Sequence, residues 1–234
     1  MQLQDWTDAS AYASLAGYTG AQWAWEFLRR NPDYQVQWRI FDQTWQALEA
    51  AYGRPPDRDF CAWKNDPRAW IPARDCADGE CRVDQDKVLI ECALGARWGF
   101  YKFPPDPRDA TAAIEGRITW RAREHASLLL PVGAGFEPAT QAALLFDLDL
   151  PLKDQLEHAR RELVVLQRTR RKQGMPMRGI AGMAEELARE LRLLDAQAAA
   201  AGDAAIARLG GAPALARARA RRDRGYLELP GLPG

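Results

Sequence analysis

Eleven of the 32 basic residues fall in two arginine-rich tracts, the clearest concentration of groups able to do chemistry in this chain. The first contains Arg160, Arg161, Arg168, Arg170, Arg171 and Lys172, opposed within it only by Glu162. The second contains Arg217, Arg219, Arg221, Arg222 and Arg224, opposed only by Asp223. A guanidinium is a planar fork of donors that fits phosphate oxygens and guanine edges, and it is less hydrated than an ammonium. At helical spacing Arg217, Arg221 and Arg224 share one face, with Arg219 and Arg222 beside it. These five are the expected DNA contacts. Arg168, Arg170, Arg171 and Lys172 would add phosphate contacts that position a protein without specifying sequence. A solvated helix end is the plain alternative for both tracts.

Other reactive side chains point less clearly. The cysteines are Cys61, Cys76, Cys81 and Cys92, and Cys76 and Cys81 flank an acidic loop with Asp78 and Glu80. Zinc sites use tighter, repeated cysteine pairs, so the expected role is structural, with zinc or a loop disulfide left open. The two histidines are His125 and His158, both beside arginines and neither in a triad-like string. Neither a nucleophile elbow nor a phosphate-binding glycine loop occurs. No catalysis, metal or cofactor is therefore expected. The string Trp23-Ala24-Trp25-Glu26-Phe27-Leu28-Arg29-Arg30-Asn31-Pro32 reads as core rings on a helix rather than a base-stacking platform.

The chain that must position these groups has 234 residues, 47% apolar and 27% charged, which suits a folded protein with a buried core. No apolar run approaches the length of a membrane span, and the first residues carry no basic and apolar export signal, so the cytoplasm is expected. The formal net charge is zero. It divides into −4 over residues 1–100 and +7 over residues 153–224, and only five of the 32 basic residues are lysines. A polyanion partner for the later part follows from that asymmetry.

Aromatic usage divides the chain again: all nine tryptophans lie at or before Trp120. Helices are expected over 21–31 and 33–52, separated by Asn31-Pro32. Residues 53–86 read as irregular. Residues 87–93 and 97–103 read as a β-hairpin, followed by strands at 118–121, 127–132 and 142–150. From Pro151 the pattern is helical. Leu152, Leu156, Ala159, Leu163 and Leu166 form a 4-3-4-3 seam for a neighbouring helix, though two heptads are too few for a coiled coil. Helices near 183–200, 203–209 and 213–225 complete a helix-turn-helix-like outline. The expected class is α+β: aromatic-rich N-terminal helices with a small antiparallel sheet over 1–125, then a helical C-terminal domain over 126–234.

Asp5-Trp6, Tyr12, Leu15 and Trp25-Glu26-Phe27-Leu28-Arg29-Arg30-Asn31-Pro32-Asp33-Tyr34 resemble the proteobacterial transcriptional regulator-like domain. Arg97-Trp98-Gly99, the Leu145–Leu152 string and the Arg224-Gly225-Tyr226 end are similar to relatives carrying a RovC-type C-terminal DNA-binding domain. The resemblance implies a non-catalytic, cytoplasmic, homo-oligomeric regulator that binds double-stranded DNA and associates with the nucleoid when bound. A protein-interaction module, with the arginines merely solvating its helices, is the alternative.

Overall fold

The computed structural model describes residues 4–76, 82–84, 86–101, 103–121, 142–175 and 179–233. Its contacts group into two compact units, one of residues 1–123 with 179–234, the other of residues 124–178. In the first unit the last helices share a core with the first ones.

The first unit opens with a 3-10 segment, Ala9–Gly17, that buries Tyr12 and Leu15. Helix α1, Gly20–Leu28, follows a capping box: the Thr19 hydroxyl accepts from Gln22 N, and Gln22 Oε1 accepts from Thr19 N at 2.8 Å. Apolar side chains surround this helix, and it sits at the centre of the core with Trp23, Trp25, Phe27 and Leu28 fully buried. Helix α2, Pro32–Tyr52, starts where Asn31 Oδ1 accepts from the Asp33 and Tyr34 amides at 2.9 and 3.1 Å, with Pro32 in its first position. Both helices agree with the sequence reading to within a few residues.

Between Tyr52 and Leu150 the observed elements differ from the sequence reading in several places. The described residues of 53–86 include an α-helical turn, α3 (Phe60–Trp63), two 3-10 turns and two short strands, β1 (Trp70–Pro72) and β2 (Arg82–Asp84). Strand β3, Lys87–Leu89, lies between them in an antiparallel sheet of order β1-β3-β2, pairing Trp70 with Leu89 and Ile71 with Val88. The expected hairpin over 87–103 is absent, because helix α4, Ile90–Arg97, begins immediately after β3. Alanine and leucine favour helix there, Glu91 and Arg97 match its dipole, and the short strand already has two partners. Of the strand expected at 118–121 only one bridge remains, Phe100 to Trp120. Residues 142–150 form no strand, and the strand expected at 127–132 lies outside the described residues.

The second unit's described part is helix α5, Leu152–Lys172, preceded by a loop that Gln155 ties back through Asp147 N and O, each at 2.8 Å. In the first unit α6 (Ala184–Ala198), α7 (Asp203–Arg208) and α8 (Gly211–Asp223) follow in order, then a 3-10 segment, Gly225–Gly231. Tyr226 and Leu229 of that segment are buried against α1, and the Tyr226 hydroxyl donates to Trp98 O at 3.2 Å. A Cβ on Gly20 would lie 1.9 Å from Leu229 O, so the two backbones meet where no other side chain fits.

Candidate nucleic-acid interface

Helix α8 carries five of the arginines singled out from sequence, and its packing sorts them. Ala214 and Ala218 are small enough to let it lie close on the Leu187-Leu191-Leu194 stripe of α6. Arg221 continues this inward face. Its side chain is only 15% exposed, it pairs with buried Glu190 through Nε, and its guanidinium lies 5.9 Å from the Phe27 ring. Arg222 is half-buried, with Nε donating to Asp223 Oδ1 at 2.8 Å. Arg219 is exposed and donates from Nε to Gln197 Oε1 at 3.0 Å. Arg217 and Arg224 are exposed and hold no carboxylate among the described residues. The face expected to carry Arg217, Arg221 and Arg224 together is thus a border: Arg221 turns into the core, while the other two flank it.

The remaining four expected contacts end α5. Arg168, Arg171 and Lys172 are exposed and Arg170 is half-buried, all close to the negative end of the helix dipole. They belong to the second unit, and α8 to the first.

What holds α8 in place was not legible as a site. Arg30, buried just after α1, sends Nε to Asp195 Oδ1 at 2.7 Å and a terminal nitrogen to Oδ2 at 2.9 Å, while its other terminal nitrogen meets Glu26. Arg29 pairs with Glu26 at 2.9 Å. The Tyr12 hydroxyl donates to Asp195 at 2.6 Å, and burial together with that bond pushes its pKa well above the ordinary phenol value. Asn31 Nδ2 reaches Asp223 Oδ1 and Arg222 O at 3.3 and 3.4 Å. The signal lay in α6, where Glu190 and Asp195 interrupt the same stripe as Leu187, Leu191 and Leu194. A carboxylate at an inward position demands a buried cation.

Cys61 and Cys76 are free thiols, exposed and buried respectively, Cys92 is disulfide-bonded, and Cys81 lies outside the described residues. His158 is exposed on α5 and His125 lies outside the described residues. Among the described residues, no three histidine, cysteine or carboxylate side chains gather as a metal site, and no helix is long and apolar enough to cross a membrane.

No curated protein and no solved structure matches the chain significantly. The part that builds α1 and α2 does have relatives: residues 5–60 match the proteobacterial transcriptional regulator-like domain.

Proposed function

We propose that the chain is a non-catalytic transcriptional regulator that acts on duplex DNA in the cytoplasm. Arg217, Arg219 and Arg224 on the outer side of α8 make the principal contacts, and Arg168, Arg170, Arg171 and Lys172 add phosphate contacts. Arg221 serves instead to fasten α8 to Glu190, with Arg222 beside it at the rim. The supporting observation is that α8 keeps three arginines outward while its inner face is anchored on the regulator-like domain. The order of helices α6, α7 and α8 supports a helix-turn-helix reading, and the resemblance to RovC-type DNA-binding domains remains part of the proposal.

The test is fluorescence anisotropy of the full chain with random duplex DNA across a salt series. Each phosphate contact contributes about −0.9 to the slope of log K against log salt, so a steep slope is expected. Replacing Arg217, Arg219 and Arg224 with alanine should reduce that slope by roughly one per lost contact. Absence of binding at low salt would overturn the reading. Truncation before α8 is unsuitable as a test, because it also removes Tyr226 and Leu229 from the core.

A further inference from the structure

Helix α5 is amphipathic, and its apolar side is left uncovered by the described residues. Leu152, Leu156, Leu163 and Leu166 are 49%, 57%, 38% and 46% exposed, and none of the helix's residues is buried. Leu145, Leu148 and Leu150 in the preceding loop are exposed as well. Such a concentration of exposed leucines on a short segment marks an interaction surface. Most helical stability in proteins comes from packing of an amphipathic face rather than from propensity, so a helix with this seam calls for a partner along it.

Charge selects that partner. Asp147, Asp149, Asp154 and Glu157 lie at or before the first turns of α5, with Lys153 their only neighbour of opposite sign there. Arg168, Arg170, Arg171 and Lys172 lie in the last turns. A second copy aligned parallel would set four cations beside four cations. Aligned antiparallel, it sets the cationic end of each helix on the anionic end of the other and also opposes the helix dipoles favourably. The 4-3-4-3 spacing fits that arrangement, with Leu156 against Leu166 of the second copy and Leu163 against its Ala159.

We propose that α5 is a self-association element, which pairs antiparallel with α5 of a second copy of this chain. The seam from Leu152 to Leu166 runs about 21 Å, two heptads, so the pair is concentration-dependent rather than permanent. This pairing needs no DNA and stands apart from the DNA-binding reading.

Sedimentation velocity of the full chain without DNA, over two decades of concentration, should show a monomer–dimer equilibrium. Leu156→Glu with Leu163→Glu should weaken it at least tenfold while tryptophan fluorescence of the first unit stays unchanged. Orientation is read from charge reversal. A variant with Arg168, Arg171 and Lys172 changed to Glu should self-associate poorly, and so should one with Asp147, Asp149 and Asp154 changed to Lys. Mixing the two should restore dimers. A monomer at every concentration overturns the proposal and leaves the seam to some other occupant. A dimer indifferent to the leucine changes, or mixing that restores nothing, overturns it equally.

Discussion

Arg30 and Asp195 are joined by two hydrogen bonds, 2.7 and 2.9 Å, across 165 residues of sequence and inside the core. This pair ties the regulator-like segment to α6, on which the candidate DNA-binding helix rests. Burying two charges gains little overall, but breaking such a pair strands one of them.

Asp195→Ala should therefore cost about 3–5 kcal/mol, because Arg30 keeps only Glu26 and the Tyr12 hydroxyl loses its acceptor. Urea unfolding followed by tryptophan emission reports on this directly, since all nine tryptophans lie at or before residue 120. A midpoint unchanged from the parent would mean the network is incidental.

Glycine substitutions should separate close approach from mere flexibility. Gly20→Ala places a methyl on Leu229 O and should destabilise by about 1–3 kcal/mol through forced displacement of the last segment. Gly17→Ala meets nothing within 4 Å and should be neutral or stabilising by up to about 1 kcal/mol. Thermal melts of both variants test the contrast, and equal effects would count against the backbone contact.

Two arginines one turn apart on α8 should behave differently. Arg217→Ala should leave the unfolding midpoint unchanged and lower DNA affinity in a salt-dependent way. Arg221→Ala should lower the midpoint instead, because buried Glu190 loses its cation. If the two variants swap these phenotypes, the assignment of inner and outer faces fails.

Acid should weaken the protein partly through Asp66. Side-chain and backbone hydrogen bonds from Arg68, with help from the Tyr52 hydroxyl, hold its carboxyl well below the usual carboxylate range. A group depressed in the folded state contributes stability above its unfolded pKa, about 3.9, and that contribution is lost as pH falls further. Asp66→Asn should be less stable near neutrality yet lose less between pH 4 and pH 2, as measured by unfolding midpoints against pH. Parallel curves for parent and variant would exclude the role.

Local signals carried α1, α2 and the later helices. Asn31-Pro32, the glycines near 202 and 210, and the apolar stripe of α6 all act within a few residues, so they can be read from sequence. The small sheet could not be read so well. The strands β1, β2 and β3 hold three residues each, too few for alternation to show, and Ile90 begins a helix where β-branched and apolar residues suggested strand. Arginine content pointed to α8, whereas the distinction between Arg217 and Arg221 depends on Glu190, which belongs to another helix. Nothing around residue 221 in the sequence encodes that partner.

The packing of Gly225–Gly231 on α1 also bears on how the protein is made. At typical rates of synthesis, roughly 5–20 residues per second, some 10–40 s separate the emergence of Leu28 from that of Leu229. Throughout that interval the tryptophan-rich surface of α1 waits without its cover. Docking of Gly225–Gly231 is consequently a late step in folding of the first unit, and the nascent chain exposes that apolar surface until the segment docks.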